Sequence, residues 1–170
     1  TGQGDMIIFK TTRNLESSDL WTANQSSDGF WKLKTKLSSS VNSNWIESGF
    51  TSNSNADVFI VSSDRPGGYG GLDLYRVIRF GNGDYSQPQN LGSQINSSFD
   101  ETSPHLLLDD RTLFFASNRP ESMGGYDMFQ TTFSGDTNFS VIENIGYPLN
   151  TTRDDLHLNV SSKTGRVYFT

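Results

Sequence analysis

The sequence predicts an all-β fold built from four-stranded antiparallel units. Three observations predict it. Long stretches recur at a fixed offset of 54 residues. Within each period, short runs of β-branched and aromatic residues alternate with turns rich in Asn, Asp, Ser and Gly. No stretch carries an apolar period of 3.6 residues, so no long helix is predicted.

The repeat is the strongest signal. Residues 62–75, SSDRPGGYGGLDLY, align with residues 116–129, ASNRPESMGGYDMF. Arg65 falls on Arg119, Pro66 on Pro120, Gly70 and Gly71 on Gly124 and Gly125, and Asp73 on Asp127. With the same offset, Asn90-Leu91-Gly92 falls on Asn144-Ile145-Gly146, Asn96 on Asn150, and Leu113-Phe114-Phe115 on Val167-Tyr168-Phe169. The period also runs backwards, from Leu91 and Asn96 to Leu37 and Asn42, and from Asp73-Leu74-Tyr75 to Asp19-Leu20-Trp21. MIIFKTTR (6–13) matches VFIVSSDR (58–65) at an offset of 52. The first copy therefore has a loop two residues shorter, with Ser17 and Ser18 in place of Gly-Gly.

One period reads as follows. SPHLLL (103–108) is the first strand, and Asp109-Asp110-Arg111 a tight turn. TLFFAS (112–117) is the second strand, followed by the loop NRPESMGG. YDMFQTTF (126–133) is the third, and a Ser-Gly-Asp-Thr-Asn turn leads to the fourth, FSVIENI (139–145). GYPLNTTRD then crosses to the next period. Four antiparallel strands in about 50 residues are the pattern of a β-propeller blade, which buries both faces and must stack on neighbours. Leu113, Phe115, Tyr75 and Phe129, with Phe59 and Val61 one copy earlier, are the expected filling between blades. The expected organisation is one β-propeller segment over 1–170. It comprises a partial blade at 5–47, whole blades at 48–101 and 102–155, and a partial blade at 156–170. Between three and four blades is short of a closed ring. The chain is therefore read as part of a longer propeller; the alternative is a ring completed in trans.

Composition narrows the function. Hydrophobic residues make up 33%, charged residues 19% and aromatics 12%, which is too aromatic for a disordered chain. A formal net charge of −6 without a Lys/Arg cluster argues against nucleic acid or an anionic membrane as partner. No cysteine is present, which excludes disulfides, thiolate metal sites and Cys nucleophiles. No apolar run approaches the roughly 18 residues of a membrane span, so no direct membrane insertion is expected. A start at Thr1 without a signal-peptide pattern reads as a processed or partial chain.

The stretches TLFFASNRPESMGGYDMF (112–129) and NLGSQINSSFDETSP (90–104) resemble the TolB-like, WD-like propeller repeat family. The likeness is closest to the version found in OmpA-family and type IX secretion proteins of the Bacteroidota outer membrane, and it covers nearly the whole chain. In that family the propeller is commonly joined to tetratricopeptide repeats and to an OmpA-like peptidoglycan-binding domain. The resemblance thus implies a periplasmic, outer-membrane-associated interaction module. Its partner would be an envelope protein, with peptidoglycan reached through a neighbouring domain. The first copy lacks the RPGG signature.

The chemistry-bearing residues have structural readings. GGYGG (67–71) joins two strands, whereas a phosphate loop precedes a helix, so its glycines are expected to supply positive φ in a hairpin connection. Arg65 and Arg119, Asp73 and Asp127, and Glu47, Glu101 and Asp155 recur in every copy, which suits structure better than a single active site. Each Arg is expected to pair with a nearby carboxylate and cap backbone groups between blades. His105 and His157 are 52 residues apart and so not equivalent; neither sits in an HxH or HExxH spacing. Adjacent acids at Asp100-Glu101, Asp109-Asp110 and Asp154-Asp155 point to opposite strand faces and do not make a glycosidase pair. Asp28 is placed in an ordinary turn, and no Ser lies in a GxSxG context. No catalytic, cofactor-binding or metal-binding residue is assigned.

These readings predict a non-enzymatic protein-binding scaffold without a cofactor. The expected contact residues are Tyr69 and Gly70 on one loop and Glu121, Ser122 and Met123 on its copy, because the two loops differ most at their tips. The alternative is a module for carbohydrate or peptidoglycan fragments, with Trp21, Trp31 or Trp45 stacking on sugars. Against it, Trp31, Tyr85 and Phe139 share one repeat position, and Trp21, Tyr75 and Phe129 another, which argues for core packing.

Overall fold

The computed structural model describes residues 6–14, 17–135, 138–160, 164 and 166–170. The fold is all-β, in several antiparallel sheets, with no helix among the described residues. Sheet one contains β1 (Met6–Asn14), β2 (Ser17–Gln25) and β3 (Trp31–Lys36). Sheet two contains β4 (Glu47–Ser52), β5 (Val58–Ser63), β6 (Asp73–Ile78) and β7 (Gln89–Asn90). Sheet three contains β8 (Glu101–Leu106), β9 (Thr112–Ser117), β10 (Asp127–Ser134), β11 (Asn138–Phe139) and β12 (Glu143–Asn144). Sheet four is the pair β13 (Asn159–Val160) and β14 (Val167–Tyr168). Sheet two runs in chain order as a meander, and sheet three repeats it, with β11 and β12 both on β10. Among the described residues, the succession of sheets does not close on itself.

The second strand of the period stands at the predicted residues, 112–117. The first begins two residues earlier than predicted, because Glu101 already pairs with Ser117, and a bulge between Thr102 and His105 takes up the slack. The third is shifted to Asp127–Ser134. The fourth is not one strand. Ser140 breaks it: its Oγ accepts the Thr132 amide at 2.9 Å, while its own amide donates to the Thr132 carbonyl at 2.7 Å. Ser86, one period earlier, does the same to Ile78, at 2.9 and 2.8 Å. A hydroxyl thus replaces a ladder carbonyl in both copies, and the edge strand is left short, which limits edge-to-edge pairing.

Alternate residues on each strand enter cores on opposite faces. Phe59, Val61 and Val77 of sheet two pack with Leu20, Leu37 and Val41 of the first copy. Ile60 and Leu74 face the other way, onto Leu106, Leu113, Phe115 and Phe129 of sheet three. Ala116 and Met128 continue this towards Leu158. Phe115 and Phe129 stack at 6.0 Å and are essentially inaccessible. Burying each such ring contributes about 1.5–3 kcal/mol.

Successive sheets are joined at equivalent positions. The Ser48 and Thr102 hydroxyls, 54 residues apart, lie at 2.7 Å. The Leu106 amide donates to Thr51 Oγ1 at 3.0 Å. The Ser54 amide and hydroxyl both donate to Asp110, at 2.7 and 2.6 Å, clasping the β4–β5 turn to the β8–β9 turn. A void of about 70 Å³ remains in this joint, lined by Val58, Ile60, Leu106, Leu113, Phe133 and Phe139 among others.

Candidate interaction surface

The β5–β6 loop (64–72), the β9–β10 loop (118–126) and the crossings between sheets emerge at the same end of the sheets. Two polar networks hold this end, and each occurs twice. In the first, Asp73 accepts the Tyr69 and Gly70 amides at 2.6 and 3.1 Å and the Asn90 amide group at 2.8 Å. Asp127 does the same for Met123, Gly124 and Asn144, at 2.7, 3.3 and 2.8 Å. Asn90 is tied to Asn96, and Asn144 to Asn150; these buried asparagines exchange both hydrogen bonds with the backbone of Leu74 and Met128. Asn42 does so with Leu20 in the first copy. The loop backbones are therefore rigidly hung from the third strand.

In the second network, an arginine after the second strand reaches the first strand of its own sheet and the crossing that feeds it. Arg119 donates to Glu101 Oε1 at 2.9 Å, to the Ile95 carbonyl at 2.7 Å and to Ser117 Oγ at 3.2 Å. Its guanidinium lies over the rings of Phe115 and Phe129, 5.3 and 5.0 Å from their centres. Glu101, wholly buried, also accepts from the Ser97 amide and hydroxyl. Arg65 repeats the arrangement on Glu47 at 3.3 Å and on the Val41 carbonyl at 2.8 Å, but more loosely: Glu47 Oε2 and Arg65 Nε are buried without a partner. Burial raises the Glu47 carboxyl, and the bonds from Ser43 and the charge of Arg65 only partly offset this. Burial likewise lowers Arg65, with Glu47 opposing. The expected Arg-carboxylate pairing is present, with the glutamates and not with Asp73 or Asp127. Asp155, at the position of Glu101, is buried and accepts from the Thr151 amide and hydroxyl.

The glycine expectation needs correction. Only Gly67 of the 67–71 glycines has a left-handed φ, +92°. Gly70 and Gly124 are small because a Cβ there would overlap the backbone of the next crossing, at the Phe99 and Arg153 carbonyls. Each loop is pressed flat against the chain entering the next sheet. The Tyr126 hydroxyl reaches the other way, donating to Asp100 Oδ2 of the preceding crossing at 2.6 Å; burial, together with that bond and charge, raises its phenol strongly.

On this frame stand exposed apolar side chains. Tyr69 and Met123 are 53% and 51% exposed, at equivalent positions. Trp45 and Phe99, also equivalent, are 46% and 39% exposed. Trp45, Phe99 and Arg153 sit in copies of one turn, each amide donating to the hydroxyl two residues before it, Ser43, Ser97 or Thr151, at 3.0–3.2 Å. Gly70 and Glu121 are exposed, and the Glu121 carbonyl accepts from Asn144. Ser122 is not a display residue: it is half-buried, its hydroxyl donates to the Ser117 carbonyl at 2.9 Å, and its amide donates to Arg119. Sequence reading missed Phe99 as a surface residue, although its identity of position with Trp45 was available.

The other singled-out groups fall elsewhere. Asp109 caps its turn through the Arg111 and Thr112 amides and the Thr112 hydroxyl; burial pushes its carboxyl up, but these bonds outweigh it and hold it low. Asp28 holds a turn through Ser26 and Phe30. Tyr85 and Phe139 pack on the cores of the preceding joint, as their recurrence predicts, but Trp31 is 44% exposed. Trp31 joins none of the apolar cores among the described residues. Among the described residues, no three His, Cys, Asp or Glu side chains converge on a metal position, and no helix is long and apolar enough to cross a membrane.

Compared with known proteins, the chain matches no protein-family model and no curated protein at a significant level.

Proposed function

We propose that the 54-residue sheets are blades of a TolB-like, WD-like β-propeller, and that the protein is a non-enzymatic binding scaffold of the bacterial envelope. Hydrogen bonds between positions 54–56 residues apart support the blade reading, because they repeat one spatial step from sheet to sheet. Placement at the periplasmic side of an outer membrane, in a secretion or gliding assembly, rests on the resemblance of residues 90–104 and 112–129.

One observation carries the binding reading. Trp45, Phe99, Tyr69 and Met123 are exposed at one end of the sheets, on backbone that buried Asp73, Asp127, Glu47 and Glu101 hold in place. Large apolar side chains on preorganised loops lose little freedom on binding and suit the centre of a protein interface. A photo-crosslinking amino acid at Tyr69 or Met123, in the native envelope, tests this. It is expected to capture one discrete protein, competed by added wild-type chain but not by its Tyr69→Asp variant. The same group at Phe80, in the turn at the other end, should capture nothing. Equal capture at both ends overturns the reading, and an adduct with peptidoglycan fragments would replace it with the glycan-binding alternative.

A further inference from the structure

Both histidines of the chain bridge the same joint, the one between β8 and the segment that becomes β13. The Val160 amide donates to His105 Nε2 at 3.3 Å. Ser103 Oγ and His157 Nδ1, 54 residues apart, lie at 3.1 Å. The preceding joint supplies an internal control. There, at the equivalent pair of positions, the Leu106 amide donates to Thr51 Oγ1 at 3.0 Å. A hydroxyl oxygen accepts at any ordinary pH, whereas an imidazole nitrogen accepts only while it carries no proton. Acceptance at Nε2 places the single ring proton of His105 on Nδ1. A second proton would point an N–H at the Val160 N–H and turn an attraction into a repulsion.

We propose that the β8–β13 joint is an acid-sensitive hinge, held by neutral His105 and loosened when His105 takes a proton, while the β4–β8 joint is indifferent to pH. The titratable groups on the elements packed against β8 are Glu47 on β4 and Asp73, Tyr75 and Arg76 on β6; β5, β9 and β13 carry none. Glu47 is engaged by Arg65 and Ser43, Asp73 by the 69–70 backbone, and Arg76 lines the void between sheets two and three. Glu101, on β8 itself, is engaged by Arg119. Asp155, in the segment before β13, is held by Thr151, and His157 meets Ser103. None of them perturbs His105, which burial alone holds below its ordinary value. A base so held favours the neutral form in the fold. The joint is therefore complete above pH 6.5, the ordinary histidine value, and weakens as pH falls through the lower folded value.

Amide exchange read by NMR, corrected for intrinsic pH dependence, tests this between about pH 7.5 and about pH 5. Val160 protection is expected to fall severalfold, while Leu106 protection holds. His105→Thr, which installs the residue of the control joint, should abolish the fall; should it not fold, His105→Gln keeps a non-titrating acceptor. Constant Val160 protection, an equal loss at Leu106, or an undiminished fall in either variant overturns the proposal.

Discussion

Arg119 and Glu101 form a buried ion pair at 2.9 Å that ties the loop after the second strand of sheet three to the start of its first strand. Glu101 is fully buried and Arg119 is only 11% exposed. Neither charge is reached freely by water, so each depends on the other. Removing one partner leaves an uncompensated charge, which costs about 3–5 kcal/mol. Arg119→Ala should lose that much in chemical denaturation. A loss within about 0.5 kcal/mol, the range of an ordinary surface change, would show that the pair does not hold the joint.

Arg65→Ala should cost less than Arg119→Ala. Its pair is longer, at 3.3 Å, and already leaves Arg65 Nε and Glu47 Oε2 unsatisfied. The two variants, measured side by side, rank the joints; the reverse order would contradict the geometry.

Glu47 gives a pH signature. Its carboxyl is raised by burial, so the fold binds its proton more tightly than the unfolded chain does. That contribution to stability is full below the unfolded value of 4.5 and is lost as pH rises through the raised folded value. Relative to Glu47→Gln, the wild type should therefore gain stability as pH is lowered towards 4.5. Denaturation midpoints of the two proteins across this range check it, and a gap that widens in the opposite sense refutes it.

Gly124→Ala should destabilise and disturb the loop, because the new methyl meets the backbone of Thr152 and Arg153. Overpacking of this kind costs about 1–3 kcal/mol. Gly81→Ala, with nothing within 4 Å, should be close to neutral. Equal melting temperatures for the two variants would remove close approach as the reason for glycine.

Leu113→Phe addresses the void between sheets two and three. Phe59 occupies the equivalent place one joint earlier and packs on Tyr85 at 5.9 Å. The larger ring should fill part of the 70 Å³ and add about 1 kcal/mol. A drop in melting temperature would mean that the void is too narrow for the ring.

The sequence by itself determined the strand composition, the period and the hairpin connections. Alternation, turn residues and an internal repeat are properties of neighbouring residues or of one copy against another. TLFFAS is a strand in isolation and in place, because its side chains suit a two-sided buried sheet. The tertiary structure decided what no local pattern carries. It chose Glu101 and not Asp127 as the partner of Arg119, because the pairing of Glu101 with Ser117 brings the start of β8 beside the loop that follows β9. It gave Gly70 and Gly124 their reason in the chain segment pressed against them, and turned Ser122 inwards to cap a strand end. It broke the fourth strand at Ser86 and Ser140, where a hydroxyl competes with the ladder. It left Trp31 exposed although its equivalents are packed. Burial depends on which surface lies opposite, and the repeat position of a residue does not contain that surface.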